Sequence, residues 1–218
     1  MTTNTWLLLQ LSDGAFPSGA FAHSFGLEAT TVLGGLRDGE VSIFLDASLR
    51  QIARAALPFV RSATIAPARL AEIDGAYDAT LPMLAPNQAS RAQGRALASA
   101  ASRVWDVTSP IAEHARGAGP AHHAPVFGAL FGALGIDPDD AIAAYLHGSA
   151  RGILSAAVRL GLLGPLEAQR LLAERGPLFD VLREGARDLD IDEAAQTAPL
   201  LELFAALHDR LDGRMFQS

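Results

Sequence analysis

Three observations predict an all-α fold for this 218-residue chain. No segment sustains the period-two alternation of β-branched and polar residues that a half-buried strand needs. Apolar residues instead recur at helical spacing, and alanine, the strongest helix former, is abundant. Proline, glycine and acidic residues punctuate those runs in the order that helix starts and stops require. The expectation is one domain over 1–218: a single compact bundle of about nine or ten helices around a buried central helix at about 138–163. Residues 1–5 read as a loose N-terminus and 211–218 as a mobile tail with no obvious core to fill.

A short helix is expected from about residue 6, followed by turns at Asp13-Gly14 and Phe16-Pro17-Ser18-Gly19. A second helix should begin near His23 or Ser24 and stop at Gly34-Gly35. Asp38 offers the next N-cap, with Glu40 suited to the positive helix end and Val41, Phe44, Leu45, Leu49 and Ile52 at helical spacing. Pro58 breaks or restarts the pattern, and a helix runs on to Ala71. Ile73 to Leu84 is ambiguous, with Pro82 and Pro86 on either side of Met83. A long helix should run from Asn87 to about Val107, and a short one should start at Ser109-Pro110 and end at Gly117–Pro120.

His122-His123-Ala124-Pro125 opens a helix carrying Val126, Phe127, Leu130, Phe131 and Leu134. Asp137-Pro138-Asp139-Asp140 is the clearest start in the chain: an N-cap, proline at the first position, then acids in the first turn. The run that follows is apolar almost all round and rich in Ala, Gly and Ser, so it should be buried with neighbouring backbones close to it. Gly164-Pro165 begins another helix, with Leu166, Leu171 and Leu172 expected inward. Further helices are expected over Leu178 to Leu189 and Ala198 to Arg210.

Composition narrows the function. There is no Cys, hence no disulfide, thiolate metal site or Cys nucleophile. All 17 basic residues are Arg, so a phosphate loop, which requires Lys, is absent. A net charge of −7 argues against a nucleic-acid partner. The N-terminus lacks a basic segment before its short apolar run, and no long apolar stretch is free of charge, so neither a signal peptide nor a membrane span is expected. A cytoplasmic protein is the default.

The most specific stretch is Leu7 to Glu28, LLLQLSDGAFPSGAFAHSFGLE. It resembles the N-terminal signature of the urease accessory protein F family through Leu8, Leu9, Gln10, Leu11, Pro17, Gly19, Phe21, His23, Ser24, Gly26, Leu27 and Glu28. Phe16, Ala20 and Ala22 depart from that pattern. The likeness continues through Arg91 and Gly94, then His123-Ala124-Pro125-Val126-Phe127-Gly128. It goes on through Tyr145-Leu146 and Ser155 to Leu160, and closes at His208, Asp209, Arg214, Met215, Phe216 and Ser218. The resemblance implies an all-α homodimer that is not itself an enzyme and needs no cofactor. It implies partnership with urease accessory protein D/H, then with the accessory GTPase G, in delivering nickel to apo-urease. It also places Phe21, His23, Ser24, Phe25, Gly26, Glu28, Arg91, Gly94, His208, Arg214 and Phe216 in partner-binding regions, with no metal ligand among them.

Each of these residues also has a plainer reading. Ala22-His23-Ser24-Phe25-Gly26 looks like a nucleophile elbow, and a small serine hydrolase using Ser24 and His23 is the alternative; that elbow needs a strand before it and a helix after it. His122-His123 suggests a metal pair, but adjacent helical side chains point about 100° apart, so a packed ring beside a solvated one is preferred. Arg91, Arg95 and Arg103 form either a solvated row or an interface. Phe21 and Phe25 are read as exposed partner anchors, Tyr145 as a core tyrosine, and Arg214 and Phe216 as docking residues.

Overall fold

A proline-started helix with acids in its first turn organises the bundle, as the Asp137 motif dictates. The structure, a computed structural model, describes residues 5–17, 23–36, 39–208, 211, 213, 215 and 216. Twelve α-helices are present among them, and no strand. They are α1 (Thr5–Ser12), α2 (Leu27–Gly34), α3 (Val41–Ala55), α4 (Leu57–Ile65), α5 (Leu70–Thr80), α6 (Leu84–Ser102), α7 (Ser109–Arg116), α8 (His123–Ala133), α9 (Pro138–Arg159), α10 (Pro165–Glu174), α11 (Gly176–Ala186) and α12 (Pro199–Leu207). Short 3-10 turns at Pro67–Arg69, Asp106–Thr108 and Ile191–Glu193 join some of them. No helix among the described residues is long and apolar enough to cross a membrane.

The central helix is α9. Asp137 caps it by accepting from the Asp139 amide at 2.9 Å. Ile142, Leu146, Ile153 and Leu154 are buried on it, and Ala141, Ala150, Ala156 and Ala157 bring neighbours close. It ends at Arg159 rather than near 163, because Gly161 turns the chain at φ 74°.

α4 and α8 cross with almost no space between them. A Cβ on Gly128 would lie 2.2 Å from the Val60 carbonyl oxygen, and one on Gly132 would lie 2.2 Å from that of Thr64. Only glycine permits this approach. Phe59, Val60, Leu130 and Phe131 fill the flanks and are buried.

Several expected boundaries move. Pro58 restarts the helix as α4, which ends at Ile65 instead of reaching Ala71. The ambiguous 73–84 stretch is mostly helical: α5 runs to Thr80, with Leu70, Ile73 and Tyr77 buried along one side. α6 starts at Leu84, with Pro86 in its first turn where no amide is needed, and stops at Ser102. Val104 and Val107, expected within that helix, lie beyond it and are exposed. Leu166 likewise stands in solvent while Leu171 is buried, since α10 has only one narrow packed side. α2 begins at Leu27, later than His23 or Ser24, because Phe25 and Gly26 take positive φ values of 57° and 82°. Asp38 lies outside the described residues; Glu40 occupies the N-cap of α3.

Candidate functional site

The signature and the end of the chain meet at one buried carboxylate. Glu28 sits in the first turn of α2, where the helix dipole favours negative charge. It is 5% exposed. Its Oε1 accepts from the Met215 amide at 2.7 Å and its Oε2 from the Phe216 amide at 3.2 Å. His208 Nε2 lies 3.0 Å from the same Oε2. A carboxylate this deep requires such donors, since burying it unpaired costs several kcal/mol.

Phe216 then turns into the core. It is 4% exposed, and the Arg159 guanidinium lies 4.1 Å over its ring, a cation–π contact with the end of α9. The expected tail without a core to fill is therefore corrected at Phe216 and Leu211, which are both buried. The cause is a long-range partner, Glu28, that nothing local announces. Arg214 and Phe21 lie outside the described residues.

Of the other signature residues, His23, Ser24 and Leu27 are buried, whereas Leu9, Gln10 and Pro17 are exposed. Ser24 is fully buried, and its Oγ accepts from the Glu28 amide at 3.4 Å. Among the described residues no strand precedes it, and a nucleophile elbow needs one. Phe25, read from sequence as an exposed anchor, is half-buried: a Cβ on Gly152 of α9 would lie 2.7 Å from its ring. A Cβ on Gly26 would lie 3.3 Å from Ala205 of α12. His23 is buried, and that burial, with the neighbouring His208, lowers its pKa to about 4. His123 is lowered to about 4 by burial and by His23. Both imidazoles are therefore neutral at neutral pH.

Arg91 and Gly94 sit elsewhere, on α6. Gly94 is a close-approach position: a Cβ there would lie 2.0 Å from the Ala121 carbonyl oxygen. Arg91 pairs with Asp78 of α5. Asp78 also accepts from Asn87 at 2.8 Å and lies 2.9 Å from His122 Nε2; these bonds hold its carboxyl well below the usual range. One helical turn away, Asp74 is fully buried. It accepts from the Ala121 and His122 amides at 2.6 and 2.8 Å and lies 2.7 Å from His114. The chain reaches those amides by placing Ala121 at φ 59°. This polar seam fixes the entrance of α8 against α5 and α6. His122 is thus the ring engaged with carboxylates, while His123 stacks obliquely on Tyr145 at 5.3 Å. Asp74 did not stand out in the sequence, because its partners lie 40 or more residues away, and Asp78 gains its His122 contact across 44 residues.

Two surfaces flank the Glu28 junction. α2 exposes Val32 and Leu33, while α12, which packs on it through Phe204 against Gly34, exposes Leu200 and Leu203. Among the described residues, no three His, Asp or Glu side chains converge in a metal-holding group.

Comparison with known proteins agrees with the sequence resemblance. The model of the UreF family matches residues 37–175. The chain is 36% identical to urease accessory protein F of Arabidopsis thaliana, across 98% of this chain and 92% of the plant protein. It is 32% identical to urease accessory protein F of Oryza sativa subsp. indica, across 97% and 84%. It is 29% identical to urease accessory protein UreF of Trichodesmium erythraeum (strain IMS101), across 96% and 94%.

Proposed function

The chain belongs to the urease accessory protein F family, and from that membership we propose that it is a non-catalytic adaptor of urease maturation. It bridges the accessory D/H protein and the accessory GTPase G, as a homodimer in the cytoplasm, and so assists GTP-dependent insertion of nickel into apo-urease. Nickel is cargo in this reading. GTP chemistry belongs to the partner, since a chain without Lys carries no phosphate loop.

The observation that supports the adaptor reading is the junction at Glu28. It joins the signature and the C-terminal segment, the two regions that the family likeness assigns to partner binding, into one continuous structure. Beside it Met215 is 60% exposed, and α2 and α12 present Val32, Leu33, Leu200 and Leu203. Exposed apolar side chains grouped on two packed helices mark an interaction face.

Size-exclusion chromatography with light scattering tests the proposal. The protein is run alone, then with its D/H partner, then with the GTPase and GTP. Stepwise co-elution that is lost on deleting 211–218 is expected. A chain whose mass never shifts with either partner would overturn it.

A further inference from the structure

A cavity of about 210 Å³ lies between α3, α5, α6 and α9, roofed by residues 196–205 and the start of α12. Its volume equals that of roughly seven waters in the liquid, well below a drug-sized pocket. The polar groups around it are unusual. Ser48, Tyr77, Gln93, Tyr145 and Ser149 all line it, and each is more than nine-tenths buried. None of the five makes a side-chain hydrogen bond within the described protein, and the Ser48 Oγ is sealed from solvent as well. Buried polar groups in native proteins find partners in more than about nine cases in ten. Of the five, the Ser48 Oγ alone is a sealed atom without a partner; the polar atoms of Tyr77, Gln93, Tyr145 and Ser149 are not sealed and have no partner in the described protein, which leaves them for a polar occupant of the cavity.

The walls define its chemistry. Among the described residues no Arg lines the cavity, so an anion would meet no cation there. His23 and His123 are held neutral by burial. Burial also pushes the carboxyl of Glu202 upward, and its Oε1 already accepts from Gln51. No metal-holding group of three ligands exists among the described residues. Hydroxyls and the Gln93 carboxamide offer donors and acceptors together, while Ile52, Ile153 and Leu81 supply an apolar side. Gln51 ties down the roof: its Oε1 accepts from the Ala198 amide at 2.6 Å, and its Nε2 donates to Gln196 and Glu202.

We propose that this cavity is a binding site for a small uncharged molecule carrying both hydrogen-bond donors and acceptors, the class of simple amides and polyols. It is independent of the adaptor reading and is tested without any partner protein. The full chain, labelled at isoleucine methyls, is titrated in the magnet with acetamide and with glycerol, then with acetate and ethylammonium as charged counterparts. Saturable shifts at Ile52 and Ile153 with a neutral probe are expected, with Ile43, which is 68% exposed, unmoved. The charged counterparts should bind about tenfold more weakly, and Ser149→Ala and Tyr145→Phe should each weaken the neutral probe by about five- to tenfold, the value of one hydrogen bond. Tyr145→Phe carries the test if Ser149→Ala does not fold. No saturation with either neutral probe, equal binding of acetate, or undiminished binding by the folded variants would overturn the proposal and leave the cavity to ordered water.

Discussion

At the crossing of α4 and α8 a carbonyl oxygen sits where a side chain would begin, whereas not one residue of α12 is buried. Both regions are made of small and apolar residues. The crossing is held by shape: two glycines let two backbones touch, and Phe59 and Phe131 close the sides. Around the α2–α12 face, side-chain packing of Phe204 on Gly34 is joined by a few directed bonds, those of Glu28 to the tail and of Gln51 to the start of α12. Close packing is all-or-none, because a methyl group too many has nowhere to go. A few polar hooks can be undone singly, and leave apolar side chains available to something else. The first arrangement suits a scaffold, the second an interface.

The largest effect expected from testing that contrast is at the crossing. Gly128→Ala should cost roughly 3 kcal/mol or more, since the clash is with backbone that cannot rotate away. Urea unfolding measures it, and a loss below about 0.5 kcal/mol would mean that α4 and α8 can slide apart. Next comes Glu28→Ala, which strands two amides and a buried histidine. It should cost about 2–3 kcal/mol. Hydrogen exchange at the Met215 and Phe216 amides should accelerate well before that of α8. Equal acceleration in both regions would erase the distinction between them.

The pH dependence comes third. Burial places the folded pKa of His23 and of His123 near 4, below the ordinary 6.5. Between those values the unfolded chain binds more protons than the folded one, so stability is full above about pH 6.5 and is lost as pH falls towards 4. Each histidine contributes a slope of at most about 1.4 kcal/mol per pH unit. A urea midpoint that stays level from pH 7 to 4.5 would show these rings to be solvated. Smallest in stability are Leu203→Ser and Val32→Ser, expected within about 0.5 kcal/mol of the parent because both side chains are already exposed. They should nonetheless weaken co-elution with a partner; if they do not, the face lies elsewhere.

What could be read in advance followed the range of each interaction. The start of α9 was plain, because Asp137, Pro138, Asp139 and Asp140 act on one another within a single turn. The all-α class and the glycine stop of α2 were equally local. The Gly128–Val60 contact was not, since a glycine in a helix reads as a weakness until the second backbone is known. Nor was the hold of Asp74 on the entrance of α8, which spans 47 residues, or that of Glu28 on Phe216, which spans 188. Phe25 read as an exposed anchor because its glycine and proline neighbours suggested a loop; its ring lies instead against Gly152, which has no side chain to announce a neighbour. Family likeness singled out Glu28 and Phe216 without saying that they touch.

The hooks that seat the tail on Glu28 are main-chain amides, those of Met215 and Phe216. Such an anchor does not read the letters of the peptide it holds. Every amino acid except proline supplies the same N–H, so the spelling of position 215 can drift, or be tuned to a different partner, while the attachment persists. An alanine scan would pass over that anchor in silence at Met215, and a proline placed there would reveal it.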